Sequence, residues 1–233
     1  MAENRDRLIV ALDVGKALLA REIVAKVGAS ASTYKVGKQL FTAEGPLVVR
    51  DLVASGRKVF LDLKYHDIPN TVGAAVREAC ALGVSILTVH GAGGSNMLRA
   101  AVEAAASSPG KPLILAVTVL TSFSDQDLRE VGVPANTLEQ AERMARLAQA
   151  CGCGGVVTSP REARALRQLL GPGPAIVTPG VRPAGADQGD QARVATPKEA
   201  IAAGASHIVV GRPITAAPDP AAAARAILEE IGG

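Results

Sequence analysis

Phe60-Leu61-Asp62-Leu63-Lys64-Tyr65-His66-Asp67-Ile68-Pro69-Asn70-Thr71 runs from an apolar strand through an Asp-x-Lys-x-x-Asp cluster to the start of a helix. Alternate residues of a strand share a face, so Asp62 and Lys64 point one way while Leu61 and Leu63 point the other. Asp67 falls in the loop beyond. Carboxylates beside a lysine favour its protonated form, which makes Lys64 a candidate proton donor. Taken alone, the same motif also describes a solvated ion pair where a strand leaves the core, and such pairs are common and weak. Its place in the rest of the chain decides between the two.

Outward from this stretch, short apolar runs rich in β-branched residues recur at 8–12, 33–36, 58–63, 85–89, 113–119, 155–158, 175–178 and 207–210. Between them lie Ala/Leu/Arg/Glu-rich segments with helical periodicity, among them 72–82, 97–106, 138–150, 161–170, 197–203 and 220–231. Strands alternating with helices imply parallel pairing through βαβ crossovers. Eight such units predict an α/β fold of the (β/α)8 TIM-barrel type, a single domain over residues 1–233, rather than an open doubly wound sheet. The first strand is followed only by Asp13-Val14-Gly15-Lys16, with no dinucleotide-binding glycine fingerprint. No interdomain linker interrupts the pattern. The Pro/Gly-rich segments 171–174 and 183–190 read as loops entering and leaving the seventh strand, and the second, longer and more polar, is placed to act as a lid.

A chain of 233 residues is long enough to bury about 70% of its unfolded surface. With 48% hydrophobic and 20% charged residues it falls among ordinary globular proteins. Trp is absent, only two Tyr and three Phe are present, and the net charge of +3 is spread along the chain, so stacking platforms and basic blocks for nucleic acid are not expected. Cys80, Cys151 and Cys153 form no Cys-x-x-Cys pair and have no histidine at zinc-ligand spacing. They read as small buried residues suited to a reducing cytoplasm. The charged N-terminus is unlike a signal peptide, and no apolar stretch approaches the roughly 20 residues of a membrane span.

In a barrel of this kind the C-terminal strand ends form the catalytic face. Asp13 ends the first strand, Lys35 the second, and Asp62 with Lys64 the third, so alternating charges converge there. Charges brought together at a barrel mouth compensate one another by pairing. Asp67, on its loop, reaches either this cluster or that of a neighbouring subunit. Gly211-Arg212 directly follows the eighth strand, where this architecture recurrently binds phosphate: glycine admits backbone N–H groups to an oxyanion and arginine adds a charged fork. Arg182 and Gln191 bracket the loop after the seventh strand and either close on the same anion or are solvated. The hydroxyls of Thr118, Thr121 and Ser122 either meet a polar ring edge or cap a turn, capping being the commoner role. Gly91-Ala92-Gly93-Gly94 reads as a phosphate cradle or, more simply, a tight turn with Ser95 or Asn96 capping the next helix. His207 opens an internal strand and reads as packing, while His66 and His90 fall at the catalytic face without an assigned role. No cluster has metal-ligand spacing.

These residues together make the chain resemble the orotidine 5'-phosphate decarboxylase family along nearly its whole length. The resemblance is carried by Ala11-Leu12-Asp13, Lys35-Val36-Gly37, the stretch 60–71, Leu120-Thr121-Ser122, Pro179-Gly180-Val181-Arg182-Pro183, Asp190-Gln191 and Gly211-Arg212-Pro213-Ile214. No position that the family uses departs from its pattern, and the form is similar to the short, monofunctional bacterial type. The resemblance implies decarboxylation of orotidine 5'-monophosphate to UMP and CO2, the last step of de novo pyrimidine synthesis, without cofactor or metal. It implies that Lys64 protonates C6, that Asp62 faces the substrate carboxylate and that Asp13 and Lys35 contact the ribose hydroxyls. Asp67 and Thr71 would enter from the partner of a homodimer. Thr121 would meet the pyrimidine edge, and Arg182, Gln191, Gly211 and Arg212 would hold the phosphate. The alternatives are a magnesium-dependent sugar-phosphate decarboxylase or aldolase of the same superfamily, in which an acidic metal ligand stands where this chain has Lys35, and a non-catalytic phosphate-binding barrel, which should have lost Lys64 or an aspartate.

Overall fold

The structure, a computed structural model, describes residues 5–183 and 195–232. Its strands are β1 (Leu8–Ala11), β2 (Thr33–Gly37), β3 (Lys58–Tyr65), β4 (Ile86–His90), β5 (Leu113–Val117), β6 (Gly155–Val157), β7 (Ala175–Thr178) and β8 (His207–Val210). Each pairs in parallel with its neighbours in sequence, and β8 pairs with β1, closing the barrel. The helices between and after them are α1 (Ala17–Val27), α2 (Lys38–Glu44), α3 (Leu47–Ala54), α4 (Pro69–Ala81), α5 (Gly94–Ala106), α6 (Asp125–Glu130), α7 (Thr137–Ala150), α8 (Ala163–Leu170), α9 (Pro197–Ala202), the short α10 (Arg212–Thr215) at the mouth, and α11 (Pro220–Gly232). The expected (β/α)8 architecture is present.

The two-residue period of a strand sorts side chains into two cores. Ile9, Phe60, Ile86, Leu115, Val157, Val177 and Val209 fill the barrel interior, while Leu8, Val10, Tyr34, Val36, Val59, Leu61 and Leu87 pack outward beneath the helices. The same parity carries Lys35 and Asp62 inward, above the apolar filling, so their charges stand at the mouth. Closure depends on one close approach. A Cβ on Gly155 would lie 2.1 Å from the carbonyl oxygen of Ala175, so only glycine lets β6 and β7 pair here.

Several element boundaries differ from the sequence expectation. α4 begins at Pro69 rather than Val72, because proline at the first helical position needs no N–H partner. α5 begins at Gly94 with no side-chain cap, so Ser95 and Asn96 lie inside its first turn instead of capping it. β5 stops at Val117, not Val119. The Thr118 hydroxyl donates to the Val157 carbonyl at 3.1 Å, and the chain then turns out of the ladder. β3 runs two residues further than expected, to Tyr65.

Candidate active site

The end of β3 does not continue the ladder regularly. Leu61 pairs with Leu87 and Tyr65 with Val89, so the segment between gains two residues over β4 and bulges. Within it Lys64 takes φ 52°, in the left-handed region where side chains are strained. The outcome is that the Lys64 Nζ reaches both Asp62 carboxylate oxygens at 2.8 Å. Strand alternation predicts that the two side chains share a face, and the bulge is what brings them into bidentate contact. Two bonds from β4 hold the arrangement. The Lys64 backbone N–H donates to Thr88 Oγ1 at 3.0 Å, and the Thr88 hydroxyl donates to Asp62 Oδ1 at 3.0 Å.

A second pair stands beside the first. Lys35 rises from β2 with its side chain only 11% exposed and donates to Asp13 Oδ1 at 2.7 Å, while Asp13, just past β1, is half exposed. Gly37 follows two residues on and makes room for this pair. A Cβ there would come within 2.9 Å of the Lys35 Nζ and 3.2 Å of Asp13 Oδ1.

Asp13, Lys35, Asp62, Lys64, Thr121, Arg182, Gly211 and Arg212 all line one cavity of about 870 Å³ at the C-terminal ends of the strands. That volume is in the range of small-ligand sites. The lysine–aspartate pairs form one side. Val117, Val119, Leu120 and Val157 make an apolar wall, and Gly180, Arg182, Gly211 and Arg212 complete the rim after β7 and β8. The two ends of the loop after β7 are tied together at that rim: Val181 bridges Ala195, and the Arg182 N–H donates to the Ala195 carbonyl at 3.0 Å. Gln191 and most of the expected lid lie outside the described residues.

Asp67 and Thr71 do not line this cavity. Both are exposed, Asp67 in the loop leaving β3 and Thr71 in the first turn of α4. Of the three hydroxyls near β5, Thr121 lines the cavity, Thr118 is buried against β6 and Ser122 is exposed. The glycine run after β4 is the tight turn: Gly91–Gly93 form one turn of 3-10 helix whose Ala92 N–H donates to His90 Nδ1 at 3.2 Å. Thr88 was not among the expected site residues. Its signal was parity, since it is the next inward position of β4 after Ile86.

His66 and His90 stack, with ring centroids 5.2 Å apart and planes 12° from parallel. Burial, reinforced by His66, Lys64 and Lys38, pushes the His90 imidazole down to about 4. His90 is therefore neutral at pH 7 and resists protonation more in the folded than in the unfolded state, where its value is near 6.5. The unfolded chain takes up the proton first, so the stability of the fold falls as pH drops from about 6.5 to about 4. His207, also lowered by burial, acts in the same direction. The expected result is that His90→Asn flattens this acid limb by about 1–2 kcal/mol, a figure reduced for partial solvent access, when urea unfolding is followed across that range. An unchanged limb would show that His90 is not its source.

Cys80, Cys151 and Cys153 are free and buried, and burial raises the Cys153 thiol to about 12, which suits inert packing. Among the described residues no group of three or more His, Cys, Asp or Glu is placed to hold a metal ion, and no helix is long and apolar enough to cross a membrane.

A closed (β/α)8 barrel with two lysine–aspartate pairs on β1 to β3, facing a Gly-Arg turn after β8, defines the class: a barrel with its ligand site at the C-terminal mouth. The sequence profile of the Orotidine 5'-phosphate decarboxylase / HUMPS family matches residues 6–227, and the chain belongs to that family. It is 54% identical to the orotidine 5'-phosphate decarboxylase of Moorella thermoacetica, over 97% of this chain and 92% of the relative. It is 56% identical to that of Halorhodospira halophila, over 97% and 95%. The crystal structure of the Lactobacillus acidophilus orotidine 5'-phosphate decarboxylase superposes with a TM-score of 0.88 at 41% identity, covering 98% of this chain and 100% of that one.

Proposed function

We propose that this chain decarboxylates orotidine 5'-monophosphate to UMP and CO2, closing de novo pyrimidine synthesis, with residues 1–233 working as one catalytic unit. The observation that carries the reading is the bidentate Asp62–Lys64 pair on the β3 bulge, set beside Lys35–Asp13 in the cavity that Arg212 rims. The C6–carboxylate bond breaks, the electron pair stays on C6, and the Lys64 ammonium supplies the proton that quenches it. No conjugated sink receives that pair, so a cation fixed in place before reaction has the most to contribute. Asp62 faces the substrate carboxylate. Asp13 and Lys35 take the ribose hydroxyls, Thr121 the pyrimidine edge, and Arg182, Gln191, Gly211 and Arg212 the phosphate, whose remote contacts assist the reacting carbon. Asp67 and Thr71 serve the neighbouring site of a homodimer. The enzyme works in the cytoplasm on a small molecule, without nucleic acid, membrane, metal or cofactor.

The magnesium-dependent sugar-phosphate reading is disfavoured because Lys35, paired with Asp13, stands where an acidic metal ligand would be needed. The two readings separate in one assay. EDTA-treated protein is expected to convert orotidine 5'-monophosphate to UMP, followed by ultraviolet absorbance, at the rate of untreated protein. Activity that disappears with EDTA and returns with magnesium, or no conversion at all, sinks the proposal.

A further inference from the structure

We infer that Thr88 is a positioning residue of the lysine–carboxylate centre, its one hydroxyl fixing both the Lys64 backbone and the Asp62 carboxylate. Thr88 is fully buried on the inward face of β4, one strand over from the reacting groups. Its hydrogen-bond directions are set by chemistry. The Lys64 N–H can only donate, so at 3.0 Å the hydroxyl oxygen must accept, and the hydroxyl proton is left for Asp62 Oδ1 at 3.0 Å. Asp62 Oδ1 thus receives two donors, Thr88 and the Lys64 ammonium, whereas Oδ2 has the ammonium at 2.8 Å.

The bulge explains why such a residue is needed. Between the pairs Leu61–Leu87 and Tyr65–Val89 the regular register is lost, and Thr88, the β4 residue facing the gap, takes the Lys64 N–H through its side chain. The same bond restrains Lys64 at its positive φ, from which the ammonium returns to Asp62. Without the hydroxyl the part-buried Lys64 N–H loses its partner, and the segment has reason to relax. Thr88 does not line the cavity, so its effect passes through Asp62 and Lys64. Displacing reacting groups by about 1 Å costs rate on the order of 100-fold.

This inference rests on the decarboxylase reading for its kinetic consequence but not for its structural one, and two readouts separate them. Thr88→Val keeps the shape and removes the hydroxyl, while Thr88→Ser keeps the hydroxyl. In ligand-free protein, amide exchange at Lys64 is expected to accelerate at least about tenfold in Thr88→Val and to stay within about threefold of wild type in Thr88→Ser. In turnover of orotidine 5'-monophosphate, kcat is expected to fall about 10- to 100-fold in Thr88→Val with KM changed less than about threefold, and to recover in Thr88→Ser. Should Thr88→Val fail to fold, Thr88→Cys, with only a weak S–H donor, is judged by the same two measures. Unchanged exchange, unchanged kcat in an active background, or a serine variant as impaired as valine overturns the inference. A wild type that exchanges slowly at Lys64 yet leaves orotidine 5'-monophosphate intact overturns the functional reading alone.

Discussion

Lys64→Ala is expected to leave a folded barrel that has lost at least about 10⁴-fold in kcat, combining loss of a general acid with loss of preorganised charge at the developing carbanion. Folding should survive because the side chain is 26% exposed and its removal leaves the Asp62 carboxylate with the Thr88 hydroxyl as donor. Lys64→Arg should not rescue. A planar guanidinium on a longer stem cannot place one acidic proton where the compact ammonium did, between two carboxylate oxygens at 2.8 Å. Absorbance-monitored turnover reads the loss and circular dichroism reads the fold. Activity within tenfold of wild type in Lys64→Ala would remove the lysine from the chemistry.

The second large effect concerns Asp67. It is exposed, accepts the Ile68 N–H at 2.6 Å, and does not line its own chain's cavity. If it completes the neighbouring site, Asp67→Ala should lose about 10³-fold in turnover although the cavity of its own chain is intact. Mixing then gives a sharp result. Inactive Lys64→Ala and inactive Asp67→Ala protein, allowed to exchange subunits, form mixed dimers with both lesions in one site and none in the other. Statistical exchange makes half the dimers mixed, so activity should return to about one quarter of wild type. No recovery, with exchange verified by mass spectrometry of tagged subunits, would place Asp67 outside any shared site.

Much of the fold could be read from periodicity, because the barrel interior follows a strict two-residue alternation that puts Ile9, Phe60 and Val209 inside and Leu8, Leu61 and Val210 outside. Helices α2, α3 and α6, of 7, 8 and 6 residues, leave little trace in the sequence, since about two turns show little period. In α1 the pattern is blurred by Leu18 and Leu19, which are 62% and 44% exposed. The site was legible to the extent that it sits on strand ends: Asp13, Lys35, Asp62, Lys64 and Gly211 follow from where the apolar runs stop. Thr88 was hidden for the opposite reason. It lies inside an apolar run and acts through a bulge, and a bulge is decided jointly by two strands distant in sequence.

That bulge also separates two tasks. The pairs Leu61–Leu87 and Tyr65–Val89 anchor it at both ends, so barrel closure is settled outside the segment that carries Asp62 and Lys64. The reactive residues behave as a cassette clamped into a frame. Its contents can be exchanged without renegotiating the circumference, as long as the two anchors and the hydroxyl beneath them stay in place.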